Sequence, residues 1–287
     1  HRSPAGEDRH HRPGQQPHAL PGLEAAPSRG KKLLGSKLDR RLHVASIGTG
    51  GRTARATLDG SWPGLTSVEP VLSPEDVRVW DRWRITFAMH ARSLAHRRAV
   101  DTAKRIAGRA LDSAKTPLVS WSGGKDSTAL VHLVRVELGA AVPTISEKDD
   151  LDYPGEEAYV RDLASRFAID LEILRPETSP LAWLLERRGT LSAGEDMHSR
   201  GAGLSKACFY GVMERANEGR DLLLWGLRAE ESGRRERLLT AKGATYQLKS
   251  GQVRCAPLAG WTGLDVFAYL QAREVEPLHV YRCCGWL

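Results

Sequence analysis

The stretch that most constrains this chain is Leu118 to Leu130, LVSWSGGKDSTAL. An apolar run, Leu118 and Val119, leads through Ser120 and Trp121 into Ser122-Gly123-Gly124-Lys125-Asp126-Ser127. Ala129, Leu130, Leu133, Val134 and Leu138 then recur at helical spacing. The order is a buried strand, a glycine turn and a helix start. Paired glycines admit positive φ and let the backbone approach a ligand with no Cβ in between. The helix start offers unsatisfied N–H groups and the positive end of its dipole, which suit a phosphate. Ser122, Ser127 and Thr128 add hydroxyls, Lys125 a mobile positive charge, and Asp126 a carboxylate placed to cap the helix or to help hold a metal. These features together describe a phosphate cradle. A Gly-Gly turn capped by Asp or Ser would explain the glycines alone, but not all six residues between strand and helix.

The lysine follows the glycine pair directly, so this is not the GxxxxGK[ST] of a Walker A loop. The SGGKDS string instead resembles the PP-loop of the ATP pyrophosphatase group. That group includes phosphoadenosine phosphosulfate (PAPS) reductases, the small subunit of ATP sulfurylase and several tRNA-modifying enzymes. The resemblance implies adenine nucleotide binding at Ser122, Gly123, Gly124, Lys125, Asp126, Ser127 and Thr128, and in many members cleavage between the α and β phosphates.

The chain has 287 residues, enough for one large or two small domains. No run approaches the ~18 apolar residues of a membrane span, and the start lacks a basic flank with a short apolar core, so the expectation is a soluble, cytoplasmic protein. Residues 1–72 differ from the rest: they are rich in Pro, Gly, His and Arg without a period, and hold 11 Lys and Arg against 6 Asp and Glu, or +5 of the formal +7. They read as a disordered tail, as sequence that is not native coding sequence, or as a basic arm touching nucleic acid. Ile47-Gly-Thr-Gly-Gly51 has no strand–helix unit around it and receives no function. Order is expected from Ser73, where Ser73-Pro74-Glu75-Asp76 opens a helix carrying Val77, Trp80, Trp83 and Phe87. A second helix spans about 97–111. The two tryptophans are expected to pack this pair onto the sheet, with His90 and Arg92 solvated or structural.

Beyond the loop helix the chain alternates as a parallel α/β domain does. Strands are expected at 141–145, 171–174, 222–225 and 252–258, which with the strand before the loop makes five. Pro154 opens a helix after the second of them, a short helix covers 181–185, and another runs over 204–216 with Lys206 and Cys208. The polar, glycine-containing stretch 191–203 is a candidate flap. At the carboxyl end of the second strand stand Glu147, Asp149 and Asp150, where ligands of open α/β sheets sit. PAPS reductases carry an acidic residue and an "FPET" loop there, which Glu147 and Asp152-Tyr153-Pro154-Gly155-Glu156 resemble. These acids could hold Mg²⁺, contact ribose hydroxyls, or form a solvated loop. Asp126 and Asp150 are the candidates for Mg²⁺.

The second strong signal is Asp221 to Arg235, a buried strand, Gly226, and then Arg228, Ser232 and Arg235 as R-x-x-x-S-x-x-R. A similar "GxR…S…R" follows the fourth strand in PAPS reductases and the sulfurylase small subunit and lines the phosphate or sulfate end of the site. Arginine suits this because its fork donates paired hydrogen bonds and stays charged. Alone, the segment would read as a charged turn, and Arg234 is the least defined of its arginines. The P-L-x-x-W-T-x-x-D-V-x-x-Y pattern from Pro257 to Tyr269 is also typical of PAPS reductases, with Thr262 and Asp265 capping a helix. The resemblance covers roughly 97–282. It implies an α/β fold, an open, mostly parallel five-stranded sheet flanked by helices, of the adenine nucleotide α-hydrolase type.

The departures bear on function. A thiol-dependent PAPS reductase carries its cysteine nucleophile in a C-terminal E-C-G-x-H segment, and this chain ends in Tyr281-Arg282-Cys283-Cys284-Gly285-Trp286-Leu287. Cys208 and Cys255 are isolated and no C-x-x-C exists, so reduced thiols are expected rather than a zinc site or iron–sulfur cluster. Cys283 or Cys284 becomes a nucleophile only if the tail folds back. The preferred reading is a PP-loop enzyme that takes ATP with Mg²⁺ and adenylates an acceptor not identified by the sequence, with Lys125, Asp126, Arg228 and Arg235 catalytic and Glu147 and Ser232 on the nucleotide. The alternatives are a reductase of PAPS or a related sulfonucleotide, and a nucleotide-binding subunit that works with a protein partner in sulfur metabolism or nucleic-acid sulfur modification.

Overall fold

The first helix begins where its sequence dictates. Ser73 Oγ accepts the Asp76 N–H (3.1 Å) and the Asp76 carboxylate accepts the Ser73 N–H (3.0 Å), a reciprocal cap on two otherwise orphaned donors. A computed structural model describes residues 72–186 and 208–283. But for Leu72 the basic arm lies outside the described residues, as do the expected flap at 191–203, Lys206 and Cys284.

Helices α1 (Pro74–Ala91) and α2 (Leu94–Asp112) precede β1 (Pro117–Ser120) and α3 (Lys125–His132), which runs on into one wide π-helical turn, Leu133–Glu137. Then come β2 (Thr144–Glu147), α4 (Glu156–Phe167), β3 (Leu171–Leu174), α5 (Pro180–Glu186) and α6 (Tyr210–Asn217). The remainder is β4 (Leu222–Leu224), a 3₁₀ turn (Ala229–Glu231), α7 (Gly233–Lys242), β5 (Thr245–Gln247), β6 (Val253–Cys255), α8 (Gly263–Ala272) and α9 (Val280–Cys283).

The sheet order is β3-β2-β1-β4-β6-β5. The five expected strands are all present and pair in parallel, β2 lying slightly later than expected. A sixth, β5, joins β6 antiparallel at the edge, so the sheet has six strands rather than five. It escaped the sequence because it is three residues long, and only its central Tyr246 is partly buried.

The central strands β1 and β4 are covered on both sides, which is why they read as apolar runs. One face packs Val119, Trp121, Leu222 and Leu224 under α2, α3 and α8, whose Ala103, Leu130, Val266 and Tyr269 meet in a single core. The other face sets Leu118, Ile145 and Leu223 against Leu174 and Ala216. His132, within the first core, hydrogen-bonds the Tyr269 hydroxyl (2.9 Å), and burial followed by nearby Arg273 lowers its pKa to about 4. It is a neutral packing residue.

Helix α1 does not lie on the sheet as expected. It packs on α8, because its aromatic stripe finds Phe267 there. Phe87 stacks on Phe267 at 5.0 Å between centroids, Trp80 meets Phe267 edge-on at 5.8 Å, and Trp83 stacks on Phe87 at 5.9 Å. Phe87 is 1% exposed. Truncating it leaves a cavity that the rings around it cannot close, so Phe87→Ala should cost about 3–5 kcal/mol, read as a lowered midpoint in urea denaturation.

Candidate functional site

Strand order places a switch point between β1 and β4, since the chain leaves β1 toward β2 and β3 and later returns to the opposite side of β1. Ligands of open α/β sheets bind beyond the carboxyl ends of the strands at such a point. Both sequence signals converge there, the Ser122–Ser127 loop following β1 and Gly226–Arg228 following β4.

The loop is stapled by its own hydroxyls. Ser127 Oγ accepts the Ser122 N–H (3.2 Å), donates to the Gly124 carbonyl (3.0 Å) and lies 3.0 Å from Ser122 Oγ. Gly123 takes φ +83°, and a Cβ there would fall 2.8 Å from Glu156 Cγ. Gly226 is glycine for another reason. A Cβ on it would sit 2.7 Å from the Ser127 nitrogen and 2.8 Å from the Asp126 carbonyl carbon, so the end of β4 rests on the first turn of α3. Thr128, expected on the nucleotide, is turned inward. Its hydroxyl is buried under the loop, accepting the Trp121 indole N–H (3.0 Å) and directed to the Gly123 carbonyl.

Three of the four expected catalytic residues meet. Asp126 lies between two cations, with Oδ1 accepting Arg228 Nε (2.5 Å) and Oδ2 accepting Lys125 Nζ (2.9 Å). Arg228 reaches further to Glu230 (2.7 Å), and Glu230 in turn accepts the Gly263 N–H at the start of α8 (2.5 Å). Burial works against the Arg228 charge, and the carboxylates of Asp126 and Glu230 more than offset it, so its pKa is raised. Arg235 does not join this group. Its guanidinium pairs with Glu231 and is substantially exposed, while Ser232 caps α7 by accepting the Arg235 N–H (3.3 Å). The segment after Arg228 folded into a capped helix, which its charge had concealed.

The acidic edge divides the same way. Asp150 is fully engaged as a cap for α5, accepting the Leu181 N–H (3.0 Å) and the Ser179 hydroxyl. Each oxygen of Asp126 already accepts from a cation and each of Asp150 from one donor, so either carboxylate would have to share its partners to hold Mg²⁺, and no step is assigned to a metal. Glu147 is different. Its Oε1 is buried without a hydrogen-bond partner, and desolvation, then Asp149 and Asp152, push its pKa up to about 7.

Two participants were not anticipated. Lys148, 2% exposed, donates to the Ser122 carbonyl (3.1 Å) and pairs with Glu156, tying the loop to α4. Tyr281, on α9, accepts the Lys125 N–H on its hydroxyl (3.1 Å), and Lys125 Nζ lies 5.4 Å from its ring centroid. The C-terminal segment therefore folds back onto the cradle. Cys283 lies two residues along the same helical turn; Cys208 and Cys255 are buried.

Glu147 and Gly226 yield two tests. A carboxyl whose folded pKa is raised stabilises the fold while protonated and loses that contribution as pH rises through the folded value. Between about pH 5 and about pH 8 the wild-type melting temperature should therefore fall more than that of Glu147→Gln, compared buffer by buffer. Gly226→Ala forces a methyl into backbone and should cost about 1–3 kcal/mol in a urea titration.

The phosphoadenosine phosphosulfate reductase domain matches residues 116–283. The PAPS reductase of Xanthomonas campestris pv. campestris (strain B100) is 27% identical over 191 residues, covering 64% of this chain and 73% of the relative. That of Xanthomonas axonopodis pv. citri (strain 306) is 28% identical over 182 residues, covering 61% and 70%. Among solved structures, the PAPS reductase from Candida auris in a phosphate complex superposes with a TM-score of 0.48 at 17% identity, over 61% of this chain and 81% of that one. FMN adenylyltransferase from Candida glabrata does so with a TM-score of 0.44 at 14% identity, over 68% and 63%. With more than half of its length matched, the chain belongs to the phosphoadenosine phosphosulfate reductase domain family.

Proposed function

We propose that this chain is a PP-loop enzyme that binds an adenine nucleotide, ATP in the first place, and transfers its adenylyl group to an acceptor with release of pyrophosphate. The observation that carries this reading is the convergence of Lys125, Asp126 and Arg228 beside the amides of a glycine loop at the switch point. An acceptor oxygen or nitrogen attacks the α-phosphorus, its bond to the bridging oxygen breaks, and pyrophosphate carries the electron pair away. Negative charge grows on that leaving group. Lys125 and Arg228 are placed to offset it, and Asp126 holds both in position beforehand, so catalysis is electrostatic and positional. Arg235 and Ser232, engaged at α7, are left out of this step.

A second reading, reduction of PAPS or a related sulfonucleotide by cysteine attack on sulfur, is favoured by one observation. The C-terminal segment that carries Cys283 folds back until Tyr281 touches the loop. The names of the curated relatives support the same reading.

Thermal shift with ATP and Mg²⁺, and separately with PAPS, distinguishes the two. A ligand that binds only the folded chain at 100 times its dissociation constant adds about 2.7 kcal/mol of stability. ATP should raise the melting temperature of the wild type, while Lys125→Ala and Arg228→Ala lose most of the response. Stabilisation by PAPS alone transfers the assignment to sulfonucleotide reduction, with Cys283 and Cys284 as the next substitutions. A folded wild type that responds to neither nucleotide overturns the site assignment.

A further inference from the structure

Away from the cradle, His90, His96 and Asp265 converge from three helices. His90 lies in the last turn of α1, His96 in the first turn of α2, and Asp265 in the first turn of α8. The histidines are six residues apart across the Arg92–Ser93 corner. That corner is fixed on both sides, because the Ser93 N–H donates to the His90 carbonyl (2.8 Å) and Ser93 Oγ accepts the His96 N–H (3.0 Å). The side chains then meet at one atom, Asp265 Oδ1, which lies 2.7 Å from His90 Nε2 and 3.2 Å from His96 Nδ1. The other oxygen of Asp265 is occupied by the Thr262 N–H (2.9 Å) and hydroxyl (2.7 Å), which set the direction of the carboxylate.

We propose that His90 Nε2, His96 Nδ1 and Asp265 Oδ1 form a binding site for one divalent transition ion of the zinc type. The three ligand atoms lie within 4.8 Å of one another. Zinc bonds of about 2.0–2.1 Å in tetrahedral geometry set ligand atoms about 3.3 Å apart, so small side-chain shifts suffice to admit the ion. Two imidazoles and a carboxylate suit zinc, cobalt or nickel, whereas Mg²⁺ and Ca²⁺ require oxygen ligands in greater number. The Thr262 bonds supply the outer support that holds a ligating carboxylate in place. His96 Nε2 is buried with no partner, so the ring relays no hydrogen bond and acts only through Nδ1. To ligate, each ring must present its inward nitrogen without a proton, so the N–H bonds to Asp265 give way as the ion enters, and the His90 side chain, 22% exposed, opens the site to solvent. Three protein ligands leave a fourth position for water.

An ion at this place clips the α1–α2 corner to the start of α8, where Gly263 also holds Glu230 and, through it, Arg228. The site is thus a fastener for the element that backs the nucleotide site.

The experiment uses the full chain, stripped with a chelator and titrated with Co²⁺, whose four-coordinate complexes absorb in the visible. The wild type should bind one Co²⁺ with that absorption, and Zn²⁺ should compete for it and raise the melting temperature. His90→Gln keeps an N–H donor for Asp265 but removes the imidazole lone pair. It should melt like the wild type in chelator, yet lose about tenfold or more in Co²⁺ affinity together with the Zn²⁺ response. His10→Ala/His11→Ala, in the arm, should behave as the wild type. If His90→Gln alters folding, His90→Asn provides the same comparison. A wild type without the Co²⁺ absorption overturns the proposal, as does a His90→Gln chain that binds Co²⁺ as the wild type does.

Discussion

The site depends on one carboxylate. Asp126 sits on the first turn of the helix after β1, and its two oxygens hold the Lys125 ammonium beside it and the Arg228 guanidinium from the loop after β4. Two segments roughly a hundred residues apart in sequence are thereby joined across the switch point. Asp126 is 9% and Arg228 4% exposed, so removing either would leave the other buried with one charged partner fewer, Lys125 for Asp126 and Glu230 for Arg228. Gly226 permits this contact sterically, since any side chain there would push the end of β4 away from the first turn of α3. A glycine without a Cβ and a carboxylate with two cations are thus one device seen from two sides.

The charge balance of that device matters for what it can bind. Lys125 and Arg228 bring two positive charges, and Asp126 and Glu230 return two negative ones. The cluster presents preorganised donors rather than a large excess of charge. On the proposed reading, a phosphate at the loop would meet cations whose positions are already fixed, so little reorganisation would be needed at the moment of reaction. The same logic extends through Glu230 to Gly263 and the capped start of α8. There Thr262 and Asp265 form a second reciprocal cap, and hydrogen bonds from His96, Thr262 and His90 hold the Asp265 carboxyl, despite burial, well below the usual carboxylate range.

Much of this was legible in the sequence because it is local. The glycine loop, the Ser73 and Thr262 caps and the five parallel strands are each written in a few adjacent residues, and, apart from the later start of β2, the structure has them where the spacing places them. What was not legible is decided by packing over distance. Thr128 looked like a ligand hydroxyl until Trp121 folded over the loop and took it as an acceptor. Ser232 and Arg235 matched a phosphate pattern, yet the backbone there turned into a helix whose own cap and first turn absorbed both. Asp150 was claimed by α5 in the same way. Lys148 and Tyr281 carried no motif, since their roles arise only when α4 and the C-terminal turn arrive at the loop. Charge and hydroxyl content show that a residue can serve a phosphate; tertiary contacts decide whether it remains free to do so.

The Tyr281 contact has a further consequence for ligand binding. The Lys125 N–H is one of the donors that the start of α3 leaves unpaired, and the phenolic oxygen accepts it. A single N–H makes one strong bond, so a phosphate oxygen at that amide and the tyrosine hydroxyl are rivals for the same hydrogen. On the proposed reading the chain would carry its own tethered competitor, and apparent affinity at the loop would be the intrinsic affinity scaled by the fraction of molecules in which Tyr281 has released that N–H.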